Sequence, residues 1–295
     1  ALQEGHFKRV AIGDDATYQF GPIAGITHLV SLPSGEGSLS LGADGVLRRW
    51  LPLRHLPGLD DSLSTGVADA PPALSHNGRF AFFRNFFEVP ELHDFQFHRS
   101  YPGLLQQSHL VALNDGRFLT VIDETGEISC WQIDDRGEVT WLWNHGSDLP
   151  GASDQRVIQS VVSSDEHRAV VLFPTGFLGI DLVGRESRFT PLDRIGSSIS
   201  LTADASQIAV TAIDTTIFSE DGVVVIPRGN SDHRICRFTP DGKFLLIANA
   251  GGAVSSYLLN GLSKGPVWSW KAHSTGVTAL TISRDGRAIL TGGVS

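Results

Sequence analysis

Apolar and polar residues alternate along this chain in strand-length runs, and each run stops at a short polar turn. Period-two alternation is the mark of β-strands, because successive side chains point to opposite faces of a sheet. The pattern repeats as a unit: alternation, a tight turn, more alternation, a second turn, then a strand ending in an aromatic residue. The first turn of the unit reads Pro33-Ser34-Gly35-Glu36, His76-Asn77-Gly78-Arg79, Asn114-Asp115-Gly116-Arg117, Ser164-Asp165-Glu166-His167, Ala203-Asp204-Ala205-Ser206, Pro240-Asp241-Gly242-Lys243 and Arg284-Asp285-Gly286-Arg287. Asn, Asp and Gly suit such turns because they tolerate positive φ and hydrogen-bond their own backbone. Runs rich in β-branched residues flank the turns, at 108–113 and 118–122, at 234–238 and 244–247, and at 277–282 and 288–290.

The third strand of the unit is followed by its terminal aromatic, Trp50, Trp131 or Tyr257. These lie 81 and 126 residues apart, two and three periods of about 40 to 42 residues, the length of a four-stranded propeller blade. A fourth strand is read at 139–145, Val-Thr-Trp-Leu-Trp-Asn-His, which parallels 267–273, Val-Trp-Ser-Trp-Lys-Ala-His. The last unit stops after its second strand, while residues 7–12 and 17–20 offer two strands before the first full unit begins at Ile26. Residues 1–20 are therefore expected to complete the sheet of 273–295, a closure that removes free edges. It also brings the ends of the chain together, the geometry of an inserted domain. Two stretches break the rhythm: 51–71 reads as a long Pro/Gly connection, and 84–103 as an aromatic-rich interruption of the second unit.

Composition narrows the function classes. The 295 residues are 41% hydrophobic and 19% charged, which excludes a disordered or low-complexity chain. The net charge is -9 and basic residues are scattered singly or in pairs, so no basic stripe is available for nucleic acid. No apolar run approaches the ~20 residues of a membrane span, and no direct membrane insertion is expected. Two cysteines, Cys130 and Cys236, exclude a disulfide-dense scaffold and lean towards a reducing compartment. The chain starts at Ala1 and has no methionine, which reads as a processed chain or an excised domain.

With these units in hand, the chain resembles the WD-repeat β-propeller family as a divergent member. The resemblance is most specific in His273-Ser274-Thr275-Gly276-Val277 through Asp285-Gly286-Arg287 to Thr291-Gly292-Gly293, and in Phe238-Thr239-Pro240-Asp241-Gly242-Lys243. It departs from the family in that no unit ends in Trp-Asp and only Trp50 and Trp131 keep the tryptophan. The resemblance implies one all-β domain over residues 1–295, a seven-bladed propeller of four-stranded antiparallel blades. It implies structural roles for Trp50, Trp131, Tyr257, His273 and Thr291. It further implies binding through one rim, built from second-to-third-strand loops and blade-to-blade loops. On this sequence those loops carry Asp44, Arg84, Asn85, Asp123, Glu124, Asp214 and Asn249, with His145, Arg194 and His233 between units.

Catalytic chemistry finds little support in the residues. His93, Asp94, His98 and His55 are the nearest approach to a metal cluster and read as exposed loop residues, so no metal is expected. His28, His109, His145, His233 and His273 fall at or just before innermost strands and read as structural. The acidic pairs Asp14-Asp15, Asp60-Asp61, Asp123-Glu124, Asp134-Asp135 and Asp165-Glu166 all fall in turns, where acidic residues are the default. No nucleophile elbow, zinc-protease motif or phosphate loop occurs, and no cofactor is expected. Cys130 and Cys236 belong to different units and read as buried thiols. Of Trp141, Trp143, Trp268 and Trp270, one of each pair is expected to pack between sheets and the other to face solvent. The expected function is a non-catalytic scaffold, cytoplasmic, binding a protein or peptide. The alternatives are a propeller inserted in a membrane transporter or receptor, then extracytoplasmic, and a propeller hydrolase or lyase with a carboxylate or metal site in its channel.

Overall fold

The computed structural model describes residues 4–11, 17–24, 26–31, 38–42, 46–53, 56–64, 73–74, 80–84, 90–94, 99–102, 108–113, 116–122, 127–134, 136, 138–146, 157–283 and 285–294; before residue 111 it describes mainly backbone. β1 (Glu4–Ala11) and β2 (Thr17–Ala24) come first. β3 (Ile26–Ser31), β4 (Ser38–Gly42), β5 (Val46–Leu53) and β6 (Leu56–Ser64) form a sheet in that order. So do β7 (Ala73–Leu74), β8 (Phe80–Arg84), β9 (Pro90–Asp94) and β10 (Arg99–Pro102). The next sheet is β11 (Ser108–Ala112), β12 (Arg117–Ile122), β13 (Glu127–Ile133) and β14 (Val139–Gly146). β15 (Gln159–Val162), β16 (Arg168–Phe173), β17 (Gly176–Asp181) and β18 (Glu186–Pro191) follow. Then come β19 (Ser198–Leu201), β20 (Gln207–Thr211), β21 (Thr215–Ser219) and β22 (Gly222–Ile226). A further sheet holds β23 (His233–Phe238), β24 (Phe244–Asn249), β25 (Ala253–Leu258) and β26 (Trp268–Lys271), with a 3-10 segment Leu259–Lys264 before β26. β27 (Val277–Ile282) and β28 (Ala288–Val294) end the chain's order of strands.

Among the described residues these strands make seven four-stranded antiparallel sheets, and one of them combines both ends of the sequence in the order β2-β1-β28-β27. Lys8 of β1 stands opposite Thr291 of β28, and Gly5 opposite Val294. The strands divide into two compact units, one of Ala1–Val67 with Ser197–Ser295 and the other of Ala68–Gly196.

In the first unit, the apolar run of β24 shows why these strands read as nearly continuous hydrophobic stretches. Leu245 and Ile247 pack with Ala209, Ile217 and Ile226 of the β19–β22 sheet. Their neighbours Leu246 and Ala248 point the other way, against Val277, Leu280, Ile282 and Ile289. Both faces of the sheet are covered, so alternation between core and solvent gives way to two cores served by one strand. Each such leucine contributes roughly 1.5–3 kcal/mol by leaving water. β23 lies beside both β19 and β27, and β27 beside β3. Arg237 helps stitch β19 to β23: its Nη1 donates to the Ser198 hydroxyl at 3.0 Å and to the Ile199 carbonyl at 3.3 Å.

In the second unit, Leu119, Val121, Ile128 and Cys130 pack with Ala169, Val171, Phe173, Leu178 and Ile180 of the following sheet. Phe118 faces the opposite way, against Phe80, Leu92 and Tyr101. Two segments, one in each unit, differ from their sequence reading. The expected connection at 51–71 is a hairpin over much of its length, since β5 runs on to Leu53 and β6 returns along it. The expected interruption at 84–103 supplies β9 and β10, the third and fourth strands of an ordinary sheet. His93 and Asp94 are accordingly buried in β9, not exposed in a loop. Prolines and aromatics misled the reading because Pro90 and Pro102 sit at strand ends, where a missing N–H is tolerated.

Candidate interaction surface

One end of the β19–β22, β23–β26 and β27-containing sheets is a belt of successive connections, each fastened to the next by backbone hydrogen bonds. The β20–β21 turn presents the Ile213 carbonyl, which accepts the His233 N–H at 3.0 Å. Asp214, in the same turn, accepts the Arg228 N–H on its Oδ1 at 2.8 Å, fixing the start of the β22–β23 connection. That connection carries an Arg228–Asp232 ion pair of 2.8 Å. The Asp232 carbonyl then accepts the Ala250 N–H at 2.9 Å, which fastens the β24–β25 turn. Asn249 closes the turn by accepting the Ala253 N–H on its side chain at 2.9 Å. The Gly252 carbonyl accepts both Ala272 N–H and His273 N–H, at 2.9 and 3.1 Å, and Lys271 Nζ donates to the Gly251 carbonyl.

Backbone fastening leaves the longer side chains of this belt in solvent. Arg228, Arg234 and Lys271 are exposed beside the partly exposed Asp232 and Asp214. Cations and carboxylates thus alternate over a stiff frame, an arrangement suited to polar and charged groups of a peptide chain. Surface ion pairs of this kind add little stability, about 0–1 kcal/mol, so their side chains can re-pair without unfolding anything.

The belt brings together Asp214, His233 and Asn249. His233, however, is buried: its Nδ1 lies 2.9 Å from the Thr215 hydroxyl, and burial holds its pKa below the ordinary value against the opposing pull of Asp214 and Asp232. It is a structural bond between neighbouring sheets, not a contact surface. Arg194 is exposed in the second unit, between β18 and β19. His145, also in that unit, stands near the end of the outermost strand β14, opposite Ile128, rather than at an innermost strand. Arg84 ends β8. Asp44, Asn85, Asp123 and Glu124 lie outside the described residues, as do His55 and His98. Sequence reading missed Arg228, Asp232, Arg234 and Lys271: Arg228 and Asp232 lie in the connection before β23, Arg234 is the second residue of β23 and Lys271 ends β26, so no shared position marks them.

The opposite ends of the sheets are built differently. Three first turns repeat one device, in which a Ser or Thr hydroxyl donates to an Asp two residues on at 2.6 Å: Ser163 to Asp165, Thr239 to Asp241 and Ser283 to Asp285. The same carboxylates accept the N–H of His167, Lys243 and Arg287, and these hydroxyl bonds foremost hold each carboxyl below its ordinary pKa. Asp165 and its relatives are thereby used up in turn geometry. Glu166 is buried and paired with Arg117 at 2.6 Å, a cross-sheet tie that its place in an acidic doublet did not reveal.

Three of the residues expected to be structural, His273, Thr291 and Trp131, make side-chain hydrogen bonds, in two separate sheets. His273 Nε2 lies 3.0 Å from the Thr291 hydroxyl, and Trp131 Nε1–H donates to the Thr120 hydroxyl at 3.1 Å. Tyr257 is buried in the core shared by the β19–β22 and β23–β26 sheets. For Trp50 the structure gives only its place in β5, opposite Ser38 of β4. Cys130 and Cys236 are free, buried thiols on a third and a first strand, each pushed up to about 11 by burial. Trp143 and Trp270 pack against cores, while Trp141 and Trp268 face solvent. Among the described residues no group of His, Cys, Asp and Glu is arranged to hold a metal ion, and no helix is long and apolar enough to cross a membrane.

A scan against protein-family models gives no match, and a search of curated proteins gives none either.

Proposed function

We propose that the chain is a divergent WD-repeat-type propeller whose sheets are the blades of one ring, and that it acts as a scaffold binding a protein or peptide at the belt of Asp214, Arg228, Asp232, Arg234, Asn249 and Lys271. The observation that carries this reading is the combination of a rigid backbone with exposed, mixed-sign side chains. The four connections are hydrogen-bonded in series from Ile213 to His273, so a partner would meet a pre-ordered surface and lose little entropy in ordering it. Seven four-stranded antiparallel sheets, with the two ends of the sequence sharing one of them, support the ring.

Affinity capture with the intact chain, beside an Arg234→Glu/Lys271→Glu variant, tests the reading. A partner bound by the native chain and weakened at least about tenfold in the variant, as two rim charges reversed should achieve, supports it. Equal capture by both chains overturns it.

A further inference from the structure

The outermost strand β22 is an open edge whose sequence and register are complementary to themselves. Among the described residues β22 pairs only with β21, and Val223, Val224 and Val225 are 61%, 45% and 56% exposed. Edge strands are ordinarily protected by charges, prolines or bulges within the strand. The outer strand β18 follows that rule with Glu186, Arg188 and Pro191, whereas Gly222–Ile226 contains no charged residue and no proline.

The direction of the free backbone groups follows from the pairing of this sheet. Ala212 N–H donates to the Asp214 carbonyl at 2.8 Å, in register with Val210 opposite Thr216 and Ile208 opposite Phe218. Hydrogen-bonded pairs alternate along an antiparallel ladder, so Thr216 and Phe218 turn their backbone groups to β20, and Thr215, Ile217 and Ser219 turn theirs to β22. The partners of those three are Ile226, Val224 and Gly222. Val223 and Val225 therefore direct their N–H and C=O groups away from the sheet.

We infer that β22 pairs antiparallel with β22 of a second copy of this chain, about a two-fold axis through Val224. In that register Val223 faces Val225 of the second copy and Val225 faces Val223, and the two pairs close four backbone hydrogen bonds. Three exposed valines on each strand gain cross-strand neighbours. Charge commits the edge to a second copy. The acidic turn Glu220-Asp221 that opens the strand comes to lie near Arg228, just after the strand of the second copy, at both ends of the ladder, so the acidic entry of one strand meets the basic exit of the other. Pro227 has no N–H and ends the ladder there. The interface is isologous and closes as a dimer. With about five residues a side it belongs to the small, reversible class of contacts.

Sedimentation velocity of the chain over a concentration series, with thermal melting of each variant beside it, tests this. A reversible monomer–dimer equilibrium is expected. Val225→Pro removes an N–H that β21 does not use and should weaken the dimer by at least about tenfold without lowering the melting temperature. Glu220→Arg should weaken it likewise, and Glu220→Arg/Arg228→Glu should restore it. Should the proline variant fail to fold, Val224→Lys sets like charges against each other at the axis from an exposed position, with the same loss expected. A chain monomeric at the highest attainable concentration, a dimer indifferent to Val225→Pro or Val224→Lys, or assembly beyond the dimer overturns the inference. None of these variants except the double mutant touches the belt proposed for partner binding, so the two readings fail separately.

Discussion

The hydroxyl of Thr239 donates a 2.6 Å hydrogen bond to Asp241, while the Phe244 N–H donates back to that hydroxyl at 3.0 Å. The four-residue turn Pro240-Asp241-Gly242-Lys243 is thus locked through one side chain, and the lock recurs at Ser163 and Ser283. At Thr202 the same part is played through Gln207 N–H, with Asp204 bonded to Ser206 at 2.8 Å.

Acid should loosen these turns. Asp165, Asp204, Asp241 and Asp285 have lowered folded pKa values, chiefly through Ser and Thr hydroxyls. A depressed carboxyl stabilises the fold above its unfolded value, about 3.9, and that contribution is lost as pH falls through the folded value. Urea unfolding from about pH 5 downwards, where these groups titrate, should show a steeper loss for the native chain than for a variant with all four changed to Asn. Equal slopes would remove the turns from the account.

His233 gives a second, separate window. Its folded pKa is lowered by burial, so the unfolded chain binds the proton more readily and stability falls as pH drops below about 6.5. His233→Asn keeps a polar atom near the Thr215 hydroxyl but cannot titrate. It should flatten the stability profile between about pH 7.5 and 5.5, measured by denaturant unfolding, and an unchanged profile would contradict a neutral, buried imidazole.

Gly252 and Gly242 separate backbone strain from collision. Both have positive φ, +85° and +66°. A Cβ on Gly252 would lie 2.0 Å from the Thr275 carbonyl oxygen and 2.3 Å from that of His273, whereas nothing lies within 4 Å of one on Gly242. Gly242→Ala should cost about 1 kcal/mol and Gly252→Ala more than about 2 kcal/mol, with the belt's fastening lost. Equilibrium unfolding of the two variants decides it.

Cys130 and Cys236 should both resist a thiol reagent at pH 8, where with pKa values of about 11 on the order of one thiol in a thousand is ionised. Both should react once denaturant unfolds the chain. Fast labelling of either in the native state would show that its sheet opens locally.

Much of the strand architecture was legible because turn chemistry is local: Asp241-Gly242 and Asp285-Gly286 announce their hairpins whatever surrounds them. The tryptophan pairs did not follow from alternation, which puts residues two apart on one face; a shift of register separates Trp143, opposite Cys130, from Trp141, opposite Trp131. What escaped was set by contacts distant in sequence. His93 read as a loop residue because only its pairing with Ala81 and Ser100 makes it part of a sheet. The depth of His233 depends on Thr215 in a neighbouring sheet, and the cross-sheet role of Glu166 on Arg117, 49 residues away. Side chains of the belt carry no motif at all; their meaning comes from the backbone that fastens them in series.

Amide exchange of the intact chain, alone and with its captured partner, tests the central claim most directly. The account predicts added protection at 227–234 and 271–276, around exposed Arg228, Arg234 and Lys271, with the Asp-locked turns at 202–206, 239–243 and 283–287 unchanged. Protection confined to those turns, or absent from the belt while the partner is bound, would contradict it.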